Sequence, residues 1–348
     1  MSPYVLMVLL SSLGLGTAVT FASSHWLLAW MGLEISTLAI IPMMAQQHHP
    51  RAVEATTKYF LIQATAAAMV LFACTMNAWA TGEWDVNNLP NPIASMIITV
   101  ALALKIGMAP VHLWVPEVLQ GLDLMTGMIM STWQKLAPFA LIVQTNQITN
   151  STLLTALAVA STLVGGWGGL NQTHLRKIMG YSSIAHMGWL VIVSQYAPQL
   201  TMMALGLYVS MTSATFLTLK MLGVTKVNGL AMAWSKNPVL TAISALLLLS
   251  LGGLPPLTGF LSKWLILQEL TKQGYPALAT IMALAALISL YYYLRLCYTM
   301  VLTIYPSTIN FTPAWRTDTT KSKMTVTTAA TIATGLLPVT PAVLMSFM

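Results

Sequence analysis

The sequence predicts an all-α multi-span membrane protein of about eleven transmembrane helices, and three observations carry that prediction. First, 57% of the 348 residues are hydrophobic and only 7% are charged, against about a quarter charged in a soluble domain. Second, the mean hydropathy of +0.75 is spread over the whole length, so water cannot be the main solvent. Third, the apolar runs are continuous and not alternating, which excludes a closed barrel and leaves helices as the way to satisfy the backbone in lipid.

A span needs about 20 apolar residues. Runs of that kind lie near residues 3–22, 25–45, 57–81, 92–120, 124–144, 152–170, 178–197, 201–222, 238–272, 275–304 and 325–347. With alternate loops on opposite sides, the loops after the even-numbered spans collect Arg51, Lys58, Arg176, Lys177, Lys226, Lys236, Arg316, Lys321 and Lys323. The other loops hold only Lys272, beside the acidic Glu83 and Asp85. Positive charge marks the inner face, so the N-terminus is expected on the matrix or cytoplasmic side.

The fourth and ninth spans are too long for one simple crossing, and each is interrupted, by GMAP at 107–110 and by GGLPP at 252–256. Proline removes a backbone donor and clashes with the preceding turn, so both helices are expected to break. Broken helices at membrane depth line polar or hydrated paths. Five spans separate the two breaks, an odd number, which points to two inverted five-helix units, 1–148 and 149–305, followed by a loop and C-terminal helix over 306–348. No residue-level repeat is visible between the halves.

Four ionisable residues fall at bilayer depth, where each costs about 2.5–3.5 kcal/mol or more: Glu34 in WMGLEISTLAI, Lys105 in ALALKIGMAP, Lys135 in STWQKLAPFAL and Lys263 in GFLSKWLIL. One reading is snorkelling or structural pairing, which suits Lys220 near the inner end of its span. Glu34, Lys105 and Lys135 sit too deep for that, and Lys263 lies beside a break. A buried amine is driven toward its neutral form, whereas a nearby carboxylate favours the ammonium. Such a site can take up and release a proton, and the breaks expose backbone that can bind water. His112, after the first break, and His186, in YSSIAHMGW, are further relay candidates, because neutral imidazole both donates and accepts; each can equally be a packing residue. His25, His48, His49 and His174 lie at loop or span edges and are expected to be solvated. Glu117 and Asp123, at the inner interface, need no special role.

Other chemistries find little support. The basic residues form no stripe for nucleic acid, despite a formal net charge of +7. Cys74 and Cys297 are far apart in apolar runs and read as buried free thiols. No phosphate-binding loop, dinucleotide fingerprint, CxxC, HExxH or hydrolase elbow is present. Tryptophans near span ends, such as Trp26, Trp84 and Trp315, read as interfacial anchors, and the glycines of VGGWGGLN as sites of close helix packing. MSPYVLMVLLSSLGLG opens into a span with no basic n-region or cleavage signal, so it is expected to be retained.

Taken together, WMGLEISTLAIIPMM, LKIGMAPVHLWVPEVLQG, TWQKLAP, LRKIMGYSSIAHMGW and GGLPPLTGFLSKW closely resemble the chain 2 family of NADH:ubiquinone oxidoreductase. These are the mitochondrially encoded, antiporter-like membrane subunits of respiratory complex I, and the likeness runs nearly end to end and is closest to the vertebrate form. The resemblance implies a proton-translocating subunit of the mitochondrial inner membrane. It implies no cofactor in this chain, with FMN, iron–sulfur clusters and ubiquinone handled by other subunits. Its partners would be other membrane-arm subunits, accessory subunits and phospholipids. Carried over residue by residue, Glu34 and Lys105 would form the modulating pair, Lys135 the middle relay and Lys263 the charge on the second broken helix. Bacterial relatives have three further N-terminal spans, so any proton route through those is in question here. The alternatives are an independent cation/proton antiporter, since Mrp-type subunits share this architecture, and a passive assembly subunit.

Overall fold

The computed structural model describes residues 2–46, 49–302 and 323–339. His48, Trp315, Arg316, Lys321 and the end of the last expected span lie outside them. Among the described residues every named element is a helix, with isolated bridges only at His25–Asp85 and His174–Lys226.

Six helices are long and apolar enough to cross a membrane: α1 (Pro3–Ala22), α2 (Trp26–Met44), α3 (Pro50–Thr81), α8 (Ser151–Gly168), α10 (Pro198–Leu222) and α15 (Pro276–Val301). Between them run α4 (Pro92–Ile106), α5 (Trp114–Gly121), α6 (Leu124–Ser131), α7 (Trp133–Thr145), α9 (Leu175–Ser194), α11 (Val227–Ala231), α12 (Ala233–Lys236), α13 (Pro238–Gly252), α14 (Thr258–Lys272) and α16 (Lys323–Gly335). Contacts divide the chain into two units, Met1–Ser161 and Thr162–Met348.

The helices start and stop where local chemistry dictates. Pro at the first position, preceded by a side-chain cap, opens α1, α3, α4 and α13, because a helix start has no use for the missing N–H. His25 and His49 are caps of this kind: each ring nitrogen accepts a backbone N–H at 3.2 Å, from Leu27 and Arg51. Edge position is therefore right for both, and each also has a structural task.

In the first unit, α1 and α2 touch through glycine. A Cβ on Gly16 would lie 2.8 Å from the Gly32 carbonyl, and one on Gly32 would lie 2.6 Å from Thr20. Where no hydrophobic force separates helix from lipid, such close backbone approach is what holds helices together. The glycines of VGGWGGLN do the same in the second unit, where a Cβ on Gly165 would come within 2.6 Å of the Ala185 nitrogen. Cys74 and Cys297 are buried and free. Trp26 departs from the interfacial pattern: it is 1% exposed and packs inside the unit.

Both expected breaks are present, and they are built alike. α4 and α13 are each 15 residues long, each follows a capping Asn and opens on Pro, at Asn91-Pro92 and Asn237-Pro238. Each ends at a left-handed glycine, Gly107 with φ +83° and Gly253 with φ +82°. The glycine N–H returns to the carbonyls three and four residues back, and the next N–H, of Met108 or Leu254, returns five residues back. That is the Schellman termination, which needs a residue free of Cβ strain. A proline three residues further on, Pro110 or Pro256, follows a cis bond in both. This shared N-P to G-x-x-P scaffold is a residue-level repeat that the flanking apolar residues obscure.

One further interruption was not expected. The run 124–144 is divided at Thr132, between α6 and α7. Thr132 Oγ1 bonds the Met128 carbonyl four residues back at 2.7 Å, a back-bond that bends helices. Pro138, inside α7, lacks the N–H that would pair with the Gln134 carbonyl.

Candidate functional site

The interruption at Thr132 and the break at Gly107 face one cavity in the first unit. Its lining includes Ser36 and Thr37 from α2, Tyr59 and Gln63 from α3, Lys105 from α4, Trp114 from α5, and Ser131, Gln134 and Lys135 from α6 and α7. Lys105 is 5% exposed and Lys135 4%.

Each polar group arrives for a local reason. Lys105 stands in the last turn of α4, where the negative end of the helix dipole favours a cation. Gln63 Nε2 donates to the Lys105 carbonyl at 3.4 Å, satisfying one of the acceptors that the helix end leaves over. The Lys105 ammonium itself has no protein partner, and neither does the Trp114 indole N–H; both are buried. A Cβ on Gly107 would lie 3.4 Å from the Trp114 ring, so the indole rests against the break. Gln134 Nε2 donates to the Ser36 carbonyl at 2.9 Å and ties α7 to α2 beside Lys135. Two buried donors beside a largely apolar recess with room for about one water molecule are partners that such a water could serve.

Glu34 does not line the cavity and meets it through Thr37. Thr37 Oγ1, which does line it, lies 3.1 Å from Glu34 Oε2 and 2.9 Å from the Glu34 carbonyl. A hydroxyl has one proton, so it serves one acceptor at a time. Tyr59, which also lines the cavity, packs against Trp114 with ring centroids 5.8 Å apart. The structure thus brings Lys105 and Lys135 to one recess, with Glu34 joined to it through Thr37.

His112 sits in the break itself, 7% exposed, with Nδ1 3.3 Å from the Pro110 carbonyl. It is not among the cavity-lining residues.

In the second unit, Lys263 is 8% exposed and its Nζ donates to the Gly252 carbonyl at 2.8 Å, capping α13 just before the break. Lys263 lines a smaller recess with His186, Tyr208, Met211 and Ser262. The His186 and Tyr208 rings lie 5.6 Å apart. The sequence-predicted lysine and histidine of this unit therefore share one recess.

Several site residues escaped the sequence reading. Gln63, Gln134, Tyr59 and Thr37 lie in apolar runs, and two amides within spans were the signal available for the first pair. Glu117, given no role, bonds Lys58 at 2.9 Å, and Lys58 also bonds Glu54 at 2.8 Å; all three are exposed. Arg295, within α15, donates to the Leu170 carbonyl at 2.5 Å, a cation closing the loose end that follows α8. Among the described residues no cluster of His, Cys, Asp and Glu could hold a metal ion.

Comparison with known proteins adds the following. Residues 23–289 match the family model described as "NADH:quinone oxidoreductase/Mrp antiporter, TM", and residues 290–344 match "NADH dehydrogenase subunit 2 C-terminus". NADH-ubiquinone oxidoreductase chain 2 of Carassius auratus is 71% identical over 344 residues, covering 99% of each chain. The protein of the same name from Danio rerio is 68% identical over 345 residues, again covering 99% of each. Among solved structures, a chain of respiratory complex I from Thermus thermophilus superposes with a TM-score of 0.87 at 26% identity, covering 100% of this chain and 81% of that one. A chain of the Mrp complex from Dietzia has a TM-score of 0.81 at 14% identity, covering 97% and 75%, a likeness of fold.

Proposed function

The chain belongs to the NADH:quinone oxidoreductase/Mrp antiporter membrane family, as a chain 2 subunit of complex I, and from that premise we propose how its buried charges move protons. It is a multi-pass membrane protein that works within the enzyme beside other complex I subunits. Its task is proton translocation driven by electron transfer from NADH to ubiquinone.

The observation that carries the mechanism is Lys105: a buried ammonium with no protein partner, in a recess lined by hydroxyls and amides. In low dielectric, an opposite charge nearby decides whether such an amine keeps its proton. When the Thr37 hydroxyl turns from the Glu34 carboxylate to its own backbone acceptor, the carboxylate charge loses a hydrogen-bond donor and acts more fully on the Lys105 ammonium, which keeps its proton. When it turns back, the hold weakens and Lys105 can yield its proton toward Lys135. Glu34 and Lys105 are thus the modulating pair, Lys135 the relay of the first unit, and Lys263 the carrier of the second, with His112 and His186 as auxiliary groups.

The finer topology in this proposal has eleven crossings: two five-span units of opposite orientation and a last span. The local likeness of α4 and α13 supports it, as does the distribution of basic residues. We place the chain in the mitochondrial inner membrane with its N-terminus on the matrix side. Redox chemistry belongs to other subunits, and accessory subunits and phospholipids cover its remaining faces.

The test is replacement of Glu34 by Gln and, separately, of Lys135 by Gln in the intact complex. Assembly on native gels should persist, NADH oxidation should continue, and protons moved per NADH should fall. Unchanged pumping in both variants would leave a passive assembly subunit as the better account.

A further inference from the structure

We infer that the C-terminal helix α16 positions Lys263, by gripping the two halves of the second broken helix in the register that lets this lysine reach Gly252. The inference rests on the reading of Lys263 as a proton carrier.

The grip is a pair of hydroxyls on one carbonyl. Ser250, in the last turn of α13, and Thr258, the first residue of α14, stand on either side of the break. Ser250 Oγ donates to the Ala333 carbonyl of α16 at 2.9 Å, and Thr258 Oγ1 donates to the same carbonyl. All three residues are fully buried. Ala333 lies in the last turn of α16, where a carbonyl has no donor from its own helix. Its two lone pairs take one hydroxyl from each half. A peripheral helix thus completes its own end by stapling another helix across a gap.

The staple is coupled to Lys263 through the geometry of α14. Gly259 follows Thr258 and meets α13 directly, since a Cβ there would lie 1.7 Å from the Ser250 carbonyl. Lys263 is four residues after Gly259, on the same face of the helix. With Gly259 pressed on Ser250, the lysine folds over Gly253, where a Cβ would lie 2.9 Å from its Cδ, and ends on the Gly252 carbonyl. Parting the halves at Ser250 and Thr258 would lift the lysine from its seat. α16 also packs against α10, α13 and α14. The break itself belongs to the stretch shared with antiporters, whereas α16 lies in the stretch matched by the subunit 2 C-terminus. The grip is therefore a feature by which the subunit-specific end acts on the shared machinery.

The experiment compares three forms of the intact complex: Lys263→Gln, the double variant S250A/T258V, and the conservative double S250T/T258S. The readout is protons moved per NADH in complex that has assembled. The inference expects a lowered ratio in the first two and recovery in the third, with assembly retained. A lowered ratio in Lys263→Gln beside a native ratio in S250A/T258V would overturn the positioning role alone. A native ratio in Lys263→Gln would remove the lysine's role, and this inference with it. Scarce S250A/T258V complex that pumps at the native ratio would mean that the staple serves folding only, which also overturns it. If the double variant does not assemble, T258V alone, which keeps the Ser250 donor, is read by the same criteria.

Discussion

Thr37 Oγ1 lies 3.1 Å from Oε2 of Glu34, and Thr37 lines the same recess as Lys105. The carboxylate is thereby connected to the recess through a single rotatable hydroxyl. Replacing Thr37 by Val keeps the shape and removes the connection. Pumping through this chain should slow about fivefold, the rate equivalent of roughly 1 kcal/mol for one lost hydrogen bond, while the complex assembles normally. NADH-driven acidification of vesicles containing the complex checks it, and an unaltered rate would show the hydroxyl to be a bystander.

The two broken helices depend on glycine in different ways. At Gly107, with φ +83° and Val115 Cγ2 2.3 Å from where a Cβ would stand, alanine incurs both the left-handed backbone penalty of about 1–2 kcal/mol and a clash with one buried, β-branched side chain. At Gly259 the obstacle is the Ser250 carbonyl, which is backbone, so alanine must part the helices at an overpacking cost of about 1–3 kcal/mol. Both substitutions should lower the thermal midpoint of the complex. Gly259→Ala should also disturb the Lys263 seat and Gly107→Ala the recess of Lys105, Trp114 and Val115, so a native ratio of protons to NADH in either variant would contradict that coupling.

Cys74 and Cys297 are buried, and neither forms a disulfide. A membrane-permeant maleimide should label them only as fast as the protein opens locally, and denaturant should expose both. Immediate labelling of folded complex would contradict the packing around α3 and α15.

Much of this was readable before any coordinates. Apolar length placed α1 over residues 3–22 to the residue, because Pro3 and the polar stretch after Ala22 bracket it sharply. The breaks were readable because Gly107 with Pro110, and Gly253 with Pro256, leave the helix no alternative. The four charges within the spans were readable from their cost in lipid; the three lysines are buried and Glu34 is half-buried. The partners of those charges were not. A helix apolar on every side gives no face to read, so nothing in YFLIQATAAAMV says that Gln63 turns toward Lys105. The interruption at Thr132 has neither glycine nor proline at the point itself; it arises from a threonine back-bond combined with Pro138 one turn and a half later. The role of Ser250 and Thr258 was hidden most completely, since it depends on Ala333, 75 residues beyond Thr258, and hydroxyls in apolar helices ordinarily bond their own backbone, as Ser244 does.

The most direct measurement is the number of protons moved per NADH by complex carrying Lys105→Met in this chain, whose unbranched side chain fills the site without a titratable group. Proton flux through the chain should fall roughly a hundredfold, the scale of a lost acid–base group, so the whole-complex ratio drops while assembly and NADH oxidation persist. A native ratio in fully assembled Lys105→Met complex would contradict the account.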